Sequence, residues 1–234
     1  MHLAPKITAI SVLIILTYKV FVNFNNRWSD LIIALSLCSM TVGSIGAIIQ
    51  SNLKRLLAYS SISHMGFILV GLVSFSDLGL EAVLFYLTIY LFLIVGIFSI
   101  ILSLNKDGQS IELISDLKGL SNHYPLLSIS FLVFMFSMAG IPPLSGFFGK
   151  WLVFFAAVEK ELYFLAILGV IFSVISAFYY LKIVKIIYFE NSDDPLILEQ
   201  SIELKIIIFI CLTITCLIFL FLPFIQQLII SHLS

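Results

Sequence analysis

The sequence predicts an all-α membrane protein with about seven transmembrane helices, the fifth of them discontinuous. Three observations carry that class. Of 234 residues, 61% are hydrophobic and only 11% charged, against about 25% charged in a soluble domain. The mean hydropathy is +1.17, and the apolar residues fall into runs of the ~20 residues that a helix needs to cross a bilayer. One such run is broken from within by Gly140-Ile141-Pro142-Pro143. A soluble globule of this size would need far more polar surface, and a disordered chain lacks such apolar content. With 12 Lys and Arg against 13 Asp and Glu, no basic excess remains to neutralise nucleic-acid phosphates.

Seven spans follow in order: about 3–22, 30–50, 55–76, 79–104, 125–158, 161–189 and 203–231. Backbone groups in lipid must be satisfied within the segment, so these are helices. Runs such as LFYLTIYLFLIVGIFSIILSL show none of the alternation of a barrel strand. No linker rich in Ser, Gly or Pro divides the chain, which reads as one domain over 1–234. Seven crossings put the termini on opposite sides. Lys54, Arg55, Lys106, Lys118, Lys182, Lys185 and Lys205 collect on the N-terminal side, and Lys19, Arg27 and Lys160 on the other. The first side is therefore read as the inside. The opening Met1-His2-Leu3-Ala4-Pro5-Lys6 has no basic n-region or cleavage site, and no Arg- and Ser-rich transit peptide follows. Direct insertion by a translocon or an organelle ribosome is expected, and the 22 Phe suit an AT-rich organelle gene.

The run 125–158 is too long for one straight crossing. Pro142 and Pro143 remove two backbone donors, and Ser145, Gly146, Gly149, Lys150 and Trp151 follow. One reading is a loop between two helices with Lys150 at the interface. The other is a discontinuous transmembrane helix of the kind that marks ion sites in transporters. Apolar residues on both sides of Lys150 favour the second. A lysine near the bilayer centre costs about 2.5–3.5 kcal/mol on insertion scales, and one able to gain and lose its proton is what a relay needs. The third span opens Ser51-Asn52-Leu53-Lys54-Arg55 and reaches His64 ten residues after Lys54, about 15 Å deeper. Ser60 and Ser61 share its face. His64 reads equally as a proton relay or as a structural bridge between helices. Lys6 alone reads as a snorkelling end residue, as do Lys19, Lys182 and Lys185. Glu81 reads as facing water, Tyr86 and Tyr90 as packing, and Cys38, Cys211 and Cys216 as small buried hydrophobes. There is no metal-ligand spacing and no nucleotide or nucleophile motif, so neither metal nor cofactor is expected in this chain.

The runs NLKRLLAYSSISHMG, DLKGLSNHYP and FSMAGIPPLSGFFGKW closely resemble the antiporter-like subunits of respiratory complex I. Within them the wording is most similar to the branch called subunit 2 in mitochondria and subunit N in bacteria. The resemblance implies inverted five-helix repeats with one broken helix each. It places 3–22 as the last helix of a first repeat, about 30–189 as the second repeat and about 203–231 as a terminal helix. It implies a C-terminal half: either the sequence is a fragment, or the gene is split and a separate polypeptide supplies the first half. The implied proton relay is Lys150 after the break, Lys54 and His64 in the preceding part of the repeat, and Lys6 on the central axis. Pro5-Lys6-Ile7-Thr8-Ala9 resembles the family's P-K-x-A segment. No in-chain carboxylate is an obvious partner for Lys6 or Lys150.

The implied function is proton translocation in NADH:ubiquinone oxidoreductase. NADH, FMN, iron–sulfur clusters and ubiquinone would belong to other subunits, with no redox centre here. Other membrane-arm subunits and lipids are the implied partners, and the mitochondrial inner membrane the implied location, with a bacterial plasma membrane as the alternative. The N-terminus would face the matrix. Two other functions stay open: a subunit of a multisubunit cation/proton antiporter, and a structural scaffold without a pumping role.

Overall fold

The computed structural model describes residues 3–20, 25–106, 109–191, 197–198 and 201–221. Helix α1 (Leu3–Ile15) runs on as a π-helical segment, Leu16–Val20. Then follow α2 (Asn25–Ile48), α3 (Leu53–Val73), α4 (Asp77–Leu102), the short α5 (Leu120–His123), α6 (Pro125–Ala139), α7 (Ser145–Glu159), α8 (Tyr163–Phe189) and α9 (Ile202–Leu217). Within α2, Trp28–Ile48 is long and apolar enough to cross a membrane by itself, as are all of α3, α4 and α8. The run 125–158 is two helices, α6 and α7, joined by Gly140–Leu144. The span expected to reach 231 is described only as far as Phe221, and its remainder lies outside the described residues.

Helix α3 is the axis of the bundle. Most of its residues are buried, because α2, α4, α7 and α8 all pack on it. Its pairing with α2 is the closest in the fold and depends on small residues, as is usual where both helices lie in lipid. A Cβ on Gly43 would run into the backbone of Ser63, one on Gly66 into Met40 and the Ser36 carbonyl, and one on Gly46 into the ring of Tyr59. The Ser36 hydroxyl also donates to the Gly66 carbonyl at 2.8 Å. The opposite face of α2 carries exposed Leu31, Leu35, Val42 and Ile45, which fall on one helical stripe. Cys38 falls on that stripe and is exposed, so the expectation that all three cysteines are buried fails there. Helix α8 shows the same pattern, with Phe164, Ile167, Ile171, Val174, Phe178 and Leu181 facing outward.

The segment between the fourth and fifth spans has structure of its own. Strands β1 (Leu104–Lys106), β2 (Gln109–Ser110) and β3 (Ile197–Leu198) form a small antiparallel sheet in the order β2-β1-β3. Residues 111–119 then fold back on the start of α3. Leu53 N–H donates to the Glu112 carbonyl (2.7 Å), Ile114 N–H to Ser51 (3.0 Å), and Gly119 N–H to Glu190 (2.8 Å). This cap ties together the ends of α3, α4, α6, α8 and α9 that carry most of the cations. Lys54 lies 3.6 Å from Glu112, and Lys118 3.2 Å from Glu190. On the other side, the Tyr18 hydroxyl donates to the Ser76 carbonyl at 3.1 Å and holds α1 to the α3–α4 turn. Glu81, expected to face water, is 7% exposed. It lies one turn inside α4, where α4 is already covered by its neighbours.

The α2–α3 contact yields the first prediction. Gly43→Leu adds volume where no space exists, a change that costs about 1–3 kcal/mol or more. It should strongly deplete folded chain in membranes, read by abundance and by thermal aggregation. Ile45→Leu, on the outward stripe, should leave both unchanged.

Candidate functional site

The site begins at the break. Helix α6 ends in a Schellman motif: Gly140 N–H donates to the Ser137 carbonyl (3.0 Å) and Ile141 N–H to Phe136 (3.0 Å). Gly140 takes a φ of +88°, a left-handed conformation that side chains resist. A Cβ there would also lie 3.1 Å from Cδ of Lys150. After the two prolines, α7 starts with no cap from its own N-cap residue. Ser137 supplies one instead, its hydroxyl accepting from Gly146 N–H at 3.0 Å and lying 3.2 Å from the Ser145 hydroxyl. Only glycine fits at 146, because a Cβ would run into the Ser137 carbonyl. One serine thus joins the two half-helices.

That junction positions Lys150. It projects from the second turn of α7 and is 4% exposed. Its Nζ donates to the Ala139 carbonyl at 3.1 Å and to the Ser173 hydroxyl on α8 at 3.0 Å. Ala139 is the last residue of α6, whose final carbonyls lack helical acceptor duty and form the negative end of the helix dipole. Nζ also lies 5.1 Å from the Phe67 ring centroid. Among the described residues no carboxylate pairs with it.

A second buried group stands beside it. His64 is 3% exposed, and both ring nitrogens are engaged: Nδ1 with the Tyr86 hydroxyl and Nε2 with the Tyr180 hydroxyl, each at 2.8 Å. The Tyr180 hydroxyl is also 2.8 Å from the Ser60 hydroxyl. A neutral imidazole has one N–H and one acceptor nitrogen, so one tyrosine donates to the ring and the other accepts from it. Both tautomers satisfy both partners. Between His64 and Lys150 lies a small cavity of about 10 Å³, lined also by Tyr86, Tyr90, Ser137 and Gly146. That is close to the space one water needs. A separate line of hydroxyls crosses from α8 to α3: Ser176 is 3.2 Å from Ser44, and Ser44 3.0 Å from Ser63. Ser173 and Ser176 are one turn apart on α8, so this line ends next to the Lys150 contact.

Of the four residues expected in a relay, the structure brings two together, Lys150 and His64. Lys54 sits in the first turn of α3 at the cationic rim, beside Glu112, ten residues from His64 along the helix. The backbone of Lys6 belongs to α1, and its side chain lies outside the described residues. Tyr86 was expected only to pack, and it bonds His64; α4 crosses α3 where residue 86 faces residue 64. Tyr180, Ser173, Ser176, Ser44 and Ser137 were not expected at all. The recurrence of Ser173, Ser176 and Tyr180 at three and four residues is a helical face, and that polar spacing in an apolar span was the available signal.

Residues 2–176 match the family model described as NADH:quinone oxidoreductase/Mrp antiporter, TM. The chain belongs to that family. It is 44% identical over 217 residues to NADH-quinone oxidoreductase subunit N of Rhodospirillum rubrum, covering 93% of this chain and 45% of the relative. It is 50% identical over 188 residues to the subunit N of Paramagnetospirillum magneticum, covering 80% and 39%. The chain thus spans less than half the length of these curated relatives. Among solved structures it is similar to respiratory complex I from Thermus thermophilus with bound aureothin, with TM-score 0.70 and 30% identity over 83% of this chain and 45% of that one. The Mrp complex from Dietzia sp. DQ12-45-1b shares the fold, with TM-score 0.73 and 20% identity over 87% and 46%. Family membership agrees with a multi-pass membrane protein.

Tyr180→Phe removes the partner of Nε2 and leaves a buried polar nitrogen unsatisfied, a loss of about 1–3 kcal/mol. Thermal unfolding of the chain in membranes should show it. Tyr163→Phe, at an exposed α8 position, should show no shift.

Proposed function

We propose that this chain translocates protons as the C-terminal half of a subunit N of respiratory complex I, NADH:ubiquinone oxidoreductase. The carrying observation is Lys150, buried in a helix break, held by a carbonyl and a hydroxyl and without a paired carboxylate among the described residues. A lysine held only by neutral partners is free to exist with or without its proton, because no fixed anion demands the ammonium. Its bonds to Ala139 and Ser173 need two N–H donors, and a neutral amine still has two.

The hydrogen bonds support a route. A proton leaving Lys150 passes through the small cavity to the His64–Tyr86 pair. As the proton is taken up on the Nδ1 side, Nε2 releases its own to Tyr180, and the Tyr180 hydroxyl proton passes to Ser60, one turn nearer the cationic end of α3. Ser60 gives up its own hydroxyl proton towards the cationic end of α3, so that each step breaks one N–H or O–H bond and forms another, and a flip of the His64 ring together with rotation of the hydroxyls resets the line. Lys54 would stand at the mouth of this path. Lys6, on α1, would link it to the complementary half of the subunit, packed against α1. On this reading α2, α3, α4, α6–α7 and α8 form one five-helix repeat over about 30–189, α1 ends the preceding repeat, and α9 is the terminal helix. The cationic side faces the mitochondrial matrix, or the cytoplasm in a bacterium. The redox reaction, with its NADH, FMN, iron–sulfur clusters and ubiquinone, belongs to other subunits of the assembly.

In vesicles carrying the intact complex, Lys150→Ala should lower proton translocation by at least roughly tenfold with assembly preserved. Lys150→Arg should not restore it, since a guanidinium keeps its proton. Normal pumping in Lys150→Met with normal assembly would overturn the relay in favour of a scaffold. Cation/proton exchange without quinone reductase activity would identify an antiporter subunit instead.

A further inference from the structure

On the cationic side of the bundle, α6 and α9 diverge and leave an open groove of about 640 Å³, within the range of small-molecule sites. Its walls are apolar: Leu126, Ile129 and Phe209 line it and are 81%, 51% and 69% exposed, with Leu212 deeper in. Its mouth is different. Lys205, His123 and Tyr124 stand there, and among the described residues no carboxylate lines the groove. Helix α6 begins at the same place, with Pro125 in its first turn and no side chain capping it. The N–H groups of Leu126 and Leu127 therefore have no intrahelical acceptor and form the positive end of the helix dipole. From Lys205 to Leu212 the groove extends seven residues along α9, about 10 Å at the helical rise. The mouth lies level with the helix ends, where headgroups sit, and the floor lies at the depth of acyl chains.

We propose that this groove binds an anionic phospholipid from the leaflet on the cationic side. Its phosphate lies between Lys205, His123 and the first turn of α6, and one acyl chain lies along Leu126, Ile129, Phe209 and Leu212. The charge pattern selects this occupant. An apolar helix from a neighbouring subunit would cover the walls and leave the cation and the open N–H groups at the mouth unanswered. A phosphate answers all three, and helix N-termini are anion sites when other donors converge on them. Basic pockets between transmembrane helices are used in this way for acidic headgroups. The proposal rests on the membrane fold alone and is independent of the proton relay.

The test uses membranes containing the intact complex, supplied with phosphatidylglycerol or phosphatidylcholine carrying a diazirine on one acyl chain. After irradiation, peptides from 124–130 and 205–212 should carry the phosphatidylglycerol label in severalfold excess over the phosphatidylcholine label. Lys205→Glu should lower that label by roughly fivefold or more, the worth of one cation at an anionic surface, and Lys205→Arg should retain it. Equal labelling by the two lipids would overturn the proposal, as would absence of lipid label with a protein cross-link into the groove instead. Proton translocation is measured in the same vesicles, and its loss or retention does not enter this result.

Discussion

A helix interrupted inside a bilayer exposes backbone carbonyls where no water is available to receive them, and the rest of this site is arranged around that constraint. The break at Gly140–Leu144 frees the last carbonyls of α6 and the first N–H groups of α7. Ser137 answers the N–H side through Gly146, and Lys150 answers the carbonyl side through Ala139. The lysine that would carry protons is thus also the donor to one of the carbonyls that the break frees. The two roles are compatible because a carbonyl accepts from an amine as well as, more strongly, from an ammonium.

The surroundings of that lysine follow from the packing of α3. Its pairing with α2 through Gly43, Gly46 and Gly66 brings the serine-bearing faces of both helices into contact. Its crossing with α4 and α8 brings Tyr86 and Tyr180 to opposite sides of the His64 ring. The hydroxyls of Ser44, Ser60, Ser63, Ser176, Tyr86 and Tyr180 each have a partner at 2.8–3.2 Å, which spares them the cost of lying unpaired in an apolar bundle, whereas the buried Tyr179 hydroxyl beside them has none among the described residues. Phe67 and Tyr90 close the remaining sides with their rings. Such a cluster conducts only by exchanging which atom donates, and a fully bonded line with one ambiguous imidazole at its centre permits that exchange.

The bundle also separates two chemistries by height. Deep between the helices, neutral partners hold one lysine and one histidine. At the cationic end, ion pairs such as Lys118–Glu190 fasten the cap that joins the helices, and they do so half-exposed, where such pairs contribute little beyond geometry. The similarity to subunit N of Rhodospirillum rubrum extends over 93% of the chain, so both levels lie within the shared sequence.

The sequence by itself determined the class, the order of the spans and the break. Lipid allows only helices, a crossing needs a fixed length of apolar residues, and two adjacent prolines end any helix. Each of these is a local rule that a single segment obeys or breaks. It also marked Lys150 and His64, because a charged or titratable residue in an apolar run is visible without knowing its neighbours. Only the tertiary structure decided what those residues touch. Tyr86 lies 22 positions from His64, Tyr180 lies 116, and Ser176 lies 132 from Ser44. Contacts across such separations depend on the rotation of each helix about its own axis, which is set by where small residues let two backbones meet. The same rotation exposed Cys38 and buried Glu81, for a residue's type fixes what it can do and its face on the helix fixes what it meets.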